Sequence, residues 1–200
     1  IAFAGTIYEW HPWRSFLYVC NKILKEKGGN LNIDFIGVNK QNEIESFIDK
    51  EQLDNLNLKF ISKLSNAELY FELQKHDLLL LFNDYNILGT KIFDYLAASR
   101  LVLLCYTQDN KAFELKNKFY SVLKINMLTS DKLQEQLILE TNSGIAIKDE
   151  KHLIEVIKEL VNEYKLFGEI KCNPKGIEKF ARKRQTEKLA HILISLLSEK

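Results

Sequence analysis

Four residues in one short stretch have the types and spacing to hold a phosphate and the polar group behind it: Gly89, Thr90, Lys91 and Asp94. They lie between two solid apolar runs, residues 78–82 and 101–104. The order reads as buried strand, glycine-containing turn, short helix, buried strand. That puts Gly89, Thr90 and Lys91 at a helix amino terminus, at the carboxyl end of a strand. Helix amino termini offer unpaired N–H groups, and in open α/β sheets phosphorylated ligands sit there. Gly89 has no Cβ and lets the backbone approach a ligand. Asp94, about one turn along the helix, can reach past the phosphate position. Each residue also has a plainer reading. Asp94 could merely complement the helix dipole, a contribution of ~0.3–1 kcal/mol. Lys91 could be a solvated surface lysine, and Gly89 only a turn residue.

The elements that must position these residues alternate along the chain. Residues 1–4 form a short apolar run ending in Gly5-Thr6. Trp13, Phe16, Leu17, Cys20, Ile23 and Leu24 recur at helical spacing, and Gly28-Gly29 ends that helix. Residues 31–38 give a second strand, about 41–54 a polar helix, and 58–61 a third strand. Ser65 caps the next helix, with Glu68 as its capping-box partner. Residues 78–82 and 101–106 are the fourth and fifth strands. Residues 107–143 are rich in Lys, Asn and Gln, with helical character near 109–119 and 131–140. Asn142-Ser143-Gly144 reads as a turn before a short last strand, 145–147. Leu153, Val156, Ile157, Leu160 and Tyr164 mark an amphipathic helix. Asn173-Pro174 and Gly176 break the chain before terminal helices at about 177–199, the first over 177–184. Such alternation predicts a parallel sheet with helices on both faces, and the fold expected of the chain is a Rossmann-like, doubly wound sheet of about six strands in the order 3-2-1-4-5-6.

The totals bound the function. With 46% hydrophobic residues, the 200-residue chain can bury a real core, and its length suits one domain spanning 1–200. Lys and Arg total 28 against 27 Asp and Glu, a net charge of +1, so no global field recruits nucleic acid or an anionic membrane. Arg182-Lys183-Arg184 is flanked by Glu178 and Glu187 and reads as a solvated helix face. No apolar run reaches the ~18 residues of a membrane span. Cys20, Cys105 and Cys172 are far apart and form no Cys-x-x-Cys pair, so neither a zinc site nor a disulfide framework is expected. Cys20 and Cys105 read as reduced core residues of a cytoplasmic protein. No His/Cys/Asp cluster has metal-ligand spacing, and no bound metal or cofactor is expected. His76, His152 and His191 read as surface or helix-packing groups, and Trp10 and Trp13 as core or interface aromatics. The chain opens on Ile1 inside a core-like strand and is expected to be a fragment of a longer protein.

The segments Ile-Ala-Phe-Ala-Gly5-Thr6, Ile-Asp-Phe-Ile-Gly37 and Leu-Lys-Phe-Ile-Ser62 resemble the start of the donor-binding half of GT-B glycosyltransferases. Gly-Thr-Lys91-Ile-Phe-Asp94-Tyr-Leu-Ala-Ala-Ser-Arg-Leu-Val resembles the Lys-Leu-Phe-Glu-Tyr-Leu-Ala-Ala-Gly-Lys-Pro-Val signature of the large retaining family, family 4 or group 1, that includes sucrose and mannosyl transferases. Asn-Ser-Gly144-Ile-Ala-Ile is similar to that family's later Asn-x-Gly stretch. The resemblance covers nearly the whole chain, with about 107–135 matching poorly, as an insertion would.

The resemblance implies the C-terminal half of a GT-B enzyme that moves a sugar from a nucleotide-sugar to a hydroxyl of a glycan or lipid-linked acceptor, with retention and no obligatory metal. The partner would be an N-terminal acceptor-binding domain absent from this chain. The setting would be the cytoplasm, with any membrane contact at the inner face made through that missing domain. This chain alone would bind donor weakly and transfer nothing, and no catalytic residue is assigned within it. The family carries two Glu residues at the positions of Asn86 and Asp94. The second binds the ribose hydroxyls, which gives that role to Asp94; the first approaches the transferred sugar, a position that here holds the uncharged Asn86. The family's Arg after the first Gly is Thr6 here, so Arg14 becomes the candidate diphosphate clamp. His11 lies near it, and Lys91 supplies a second positive charge. Fixed donors of this kind lower the barrier as charge builds on the leaving nucleoside diphosphate. Gly5, Thr6, Arg14, Asn86, Gly89, Thr90, Lys91 and Asp94 are thus the expected donor site. Two rivals stand beside this reading: a GT-B nucleotide-sugar epimerase, and a non-catalytic α/β module with a degenerate site, which Asn86 and Thr6 favour. A dinucleotide-binding domain is disfavoured, since no Gly-x-Gly-x-x-Gly follows the first strand.

Overall fold

Short apolar runs that alternate with amphipathic stretches are satisfied by a parallel sheet with a helix in each crossover. The computed structural model, which describes residues 1–122 and 132–198, has that arrangement. The strands are β1 (Ala2–Ala4), β2 (Leu31–Ile36), β3 (Leu56–Ile61), β4 (Leu78–Phe82), β5 (Leu101–Cys105) and β6 (Gly144–Ile147). They form one parallel sheet in the order β3-β2-β1-β4-β5-β6. The helices are α1 (Trp13–Lys27), α2 (Gln41–Glu51), α3 (Asn66–Leu73), α4 (Lys91–Ala98), α5 (Asn110–Val122), α6 (Leu133–Thr141), α7 (Glu150–Phe167) and α8 (Arg182–Ser198).

The two faces of the sheet are separated by the period-two alternation of its strands. Phe3, Leu80 and Leu103 face one core, closed by Phe16 and Cys20 of α1, Ile44 of α2, and Leu153 and Ile157 of α7. Ala2, Leu79 and Val102 face the other, closed by Leu73 of α3, Ile92 and Leu96 of α4, and Ile138 of α6. Every residue of β4 is buried, which its unbroken apolar sequence requires. Cys20 and Cys105 are buried and unpaired, and burial pushes the Cys20 thiol up to about 12.

Local chemistry sets the boundaries. Gly28, at φ +72°, ends α1 and donates its N–H to Leu24 O at 2.8 Å. Ser65 and Glu68 form a reciprocal capping box at the start of α3. Gly144 opens β6 opposite Val102, so the expected turn at 142–144 is already strand at its last residue.

The carboxyl-terminal region departs from expectation. Residues 177–184 are not one helix: Ile177–Phe180 is a single 3-10 turn, and Ala181, at ψ 130°, breaks the backbone before α8 begins. The cause is packing. Ile177 and Phe180 lodge against the α4 side of the sheet, with the Phe180 ring 5.7 Å from Phe93. Arg182, Lys183 and Arg184 are exposed, as a solvated face should be. Residues 123–131 and 199, parts of the expected insertion, of the 131–140 helix and of the terminal helices, lie outside the described residues.

Candidate functional site

The strand order reverses between β1 and β4, so their loops diverge to opposite faces and leave a crevice at the carboxyl edge. Gly5 leaves β1 at φ +92°, a conformation that favours glycine. A Cβ placed there would sit 3.3 Å from Lys91 Cε and 3.7 Å from Lys91 Nζ. The β1 loop and the start of α4 are therefore in contact, as the reading of Gly5 and Lys91 required. Tyr95, one turn further along α4, ties the same junction to β1: its Oη accepts the Ala4 N–H at 2.9 Å.

Lys91 Nζ lies 4.1 Å from the centroid of the Phe3 ring and, among the described residues, makes no ion pair. Burial of the ammonium lowers its pKa to about 8, and the charge of Asp84 opposes that shift. Thr90, at the amino terminus of α4, makes no side-chain capping hydrogen bond, and Gly89 precedes it at φ +66°. Gly89 and Thr90 are exposed, with open space beside Gly89. This end of the crevice offers a desolvated ammonium and a helix amino terminus, both suited to an anion.

The neighbouring loop carries a carboxylate that the sequence reading missed. Asp84, just beyond β4, accepts the indole N–H of Trp10 at 3.1 Å on Oδ1. His11 Nε2 sits 3.3 Å from the same oxygen. The other ring nitrogen, His11 Nδ1, accepts the Tyr8 N–H at 3.2 Å, so Nε2 carries the proton and the ring is neutral. Burial lowers the His11 pKa, in keeping with that tautomer. For Asp84, burial pushes the pKa up, but hydrogen bonds from His11 and Trp10 and the charge of Lys91 outweigh it and hold the carboxyl below its ordinary value.

Helices α5 and α6 fix the loop from outside. Gln134 accepts the Asp84 N–H at 2.8 Å and donates to Leu88 O at 3.2 Å. The fully buried Lys116 donates to Asp84 O and to Asn86 Oδ1. Burial lowers the pKa of Lys116 to about 8 as well. Tyr85, at φ +51°, donates its hydroxyl to Asp109 O at 3.0 Å. On the other side, Asn39 accepts the Ile7 N–H at 2.8 Å and steadies the β1 loop.

The expected site residues divide into groups. Gly5, Lys91 and the Gly89-Thr90 turn gather at the β1–β4 crevice. Thr6 is exposed, next to Gly5. Asn86 lies in the same loop as Asp84, its amide oxygen engaged by Lys116. Asp94 is exposed on α4, its pKa raised by partial burial and lowered by the charge of Arg182. Arg14 is turned elsewhere: its guanidinium lies 4.1 Å over Trp13 and 3.4 Å from Glu43 of α2. Trp13 is core, but Trp10, expected to be a packing aromatic, also places a donor on Asp84. A separate cavity of about 370 Å³ opens at the amino edge of the sheet, lined largely by aliphatic residues such as Leu24, Leu31, Leu78 and Leu160. His11, Asp84, Lys91 and Lys116 lie at the other edge.

A six-stranded, all-parallel sheet wound in both directions from β1 and β4, with its polar cluster at the switch point, defines a Rossmann-like α/β domain. Among solved structures, the chain is similar to the C-terminal domain of a glycosyl transferase group 1 family protein, LpcC, from Francisella tularensis. The TM-score is 0.52 at 12% identity, covering 82% of this chain and 77% of that one. At that identity the likeness is one of fold. No family model matches the sequence, and no curated protein matches it. Among the described residues, no helix is long and apolar enough to cross a membrane.

Proposed function

We propose that this chain is the donor-binding domain of a glycosyltransferase and holds the nucleoside diphosphate of a nucleotide-sugar in the β1–β4 crevice. One observation carries the reading: Lys91, without an ion-pair partner among the described residues, is held at the start of α4 against Gly5 and Phe3, where Thr90 makes no side-chain cap. A diphosphate would replace the hydration that this ammonium has lost, and the α4 amino terminus would add its dipole. The fold shared with a group 1 glycosyl transferase domain supports the same assignment. Asp94, on the outer side of α4, would take the ribose hydroxyls. On the family resemblance, the reaction would proceed with retention and need no metal. The acceptor, a glycan or lipid-linked hydroxyl, would be held by an N-terminal domain.

Calorimetric titration of the chain with UDP, GDP, ADP and their hexose derivatives tests this. Binding of at least one nucleotide at millimolar concentration or below is expected. Failure of all of them would favour the second reading, a non-catalytic module with a degenerate site. The observation behind that reading is Asn86, whose uncharged amide is engaged by Lys116 where the family has a carboxylate.

The affinity should depend on pH with a definite sign. Lys91 is charged below its pKa of about 8 and neutral above it. A diphosphate selects the charged form, and its own phosphate is already ionised by pH 7. Affinity should therefore fall roughly tenfold between about pH 7 and pH 9 for one such lysine. Titrations at both pH values check this, and an affinity that is flat or rises would remove Lys91 from the site.

Asp94→Asn should lower nucleotide affinity about tenfold or more, since charge-assisted hydrogen bonds are worth about 1.5–3 kcal/mol each. Folding stability should change by less than about 1 kcal/mol, the size of a helix-end charge effect. Paired binding and urea-unfolding measurements separate the two. Loss of stability with unchanged affinity would make Asp94 structural.

A further inference from the structure

Asp84 is a half-committed carboxylate: among the described residues only one of its two oxygens has a partner. Oδ1 accepts from Trp10 and faces His11 Nε2, both from the loop after β1. Oδ2 has no partner among the described residues, and the side chain is 21% exposed. The backbone on either side is fixed, the N–H by Gln134 and the carbonyl by Lys116. Lys91 is near enough for its charge to act on Asp84, yet among the described residues the two form no ion pair. Asn86, two positions along the same loop, turns its amide oxygen to Lys116 and leaves only N–H donors for a ligand.

We infer that Asp84 Oδ2 accepts a hydrogen bond from a hydroxyl of the transferred sugar, supplying from Asp84 the carboxylate that Asn86 lacks. The inference rests on the donor-binding reading above and goes further by assigning the sugar contact. Sugar hydroxyls are donors that an ionised carboxylate accepts more strongly than a neutral amide does. With Lys91 on the diphosphate, the adjoining sugar would fall beside it, on the Asp84 side of the crevice. The anchoring by Trp10, His11, Gln134 and Lys116 means that little ordering remains to oppose binding.

The test compares nucleotide with nucleotide-sugar. In Asp84→Asn, the retained Oδ1 still accepts from Trp10 and His11, while an N–H₂ group replaces Oδ2. UDP, GDP and ADP should bind this variant as well as the original chain, or better, because a negative charge has left the crevice. The matching nucleotide-hexose should bind about tenfold more weakly or worse. If the variant changes both ligands equally, or neither, Asp84 does not touch the sugar. If no nucleotide binds the original chain, the donor-binding reading fails and this assignment fails with it. A second measurement needs no variant: the side-chain carboxyl ¹³C resonance of Asp84 should shift with the nucleotide-sugar beyond any shift caused by the nucleotide alone. The same resonance position with both ligands would overturn the inference even if Asp84→Asn did not fold.

Discussion

Lys91→Met is expected to lower the affinity for a nucleoside diphosphate by about tenfold to a hundredfold while leaving the fold intact. The methionine keeps an unbranched stem over Phe3 and beside Gly5, and removes only the charge. A charge-assisted hydrogen bond to phosphate is worth about 1.5–3 kcal/mol, and each ~1.4 kcal/mol is a decade in affinity. Among the described residues, the native ammonium forms no ion pair that the substitution would break. Burial lowers its pKa to about 8, the direction of a site that disfavours the charged form. Isothermal titration and thermal unfolding of the same preparation check both halves. Unchanged affinity would mean that Lys91 is a packing residue.

Gly144→Ala should have the largest effect on stability, at least about 3 kcal/mol or outright failure to fold, the upper range for forced overpacking. A Cβ at Gly144 would lie 2.1 Å from Val102 O and 2.8 Å from Val102 C. Those are backbone atoms of β5, paired with β6 in the register Val102 to Gly144, so no side chain can rotate away. The strands would have to separate. Because α6 runs directly into β6, the strain would also reach Gln134 and the loop it holds. Urea unfolding compared with the original chain measures this. A loss below about 1 kcal/mol would mean that the β5–β6 junction can open without penalty.

What could be read from the chain follows from how local each signal is. The unbroken apolar β4, the stripe on α1 and the Ser65–Glu68 box are written in neighbouring residues, and the parallel sheet follows from the alternation of strand and helix. The turn at Gly89-Thr90-Lys91 was legible for the same reason: strand, glycine and helix stand in immediate succession. Asp84 had a weak local signal, a polar Asn83-Asp84-Tyr85-Asn86 run at a strand's carboxyl end. Its significance depends on Trp10 and His11, which are distant in sequence and come close only through the β1–β4 pairing. Lys116 and Gln134 lie in a stretch full of Lys, Asn and Gln, where nothing local distinguishes a buried clamp from a solvated side chain. Arg14, the candidate clamp on the family resemblance, has its guanidinium beside Glu43 and Trp13, contacts made by α2 and its own helix that its neighbours in sequence do not announce. The 3-10 turn at Ile177–Phe180 likewise depends on a docking site on α4 that the local sequence does not contain.

The central claim, that a nucleoside diphosphate binds in the β1–β4 crevice, is tested most directly by mapping backbone amide resonances during titration with UDP, GDP and ADP. The account predicts saturable shifts at Gly5, Thr6, Asp84, Gly89, Thr90, Lys91 and Asp94 with at least one of these nucleotides. No shift at millimolar nucleotide would contradict it, and so would shifts confined to the amino-edge cavity around Leu24, Leu31 and Leu160.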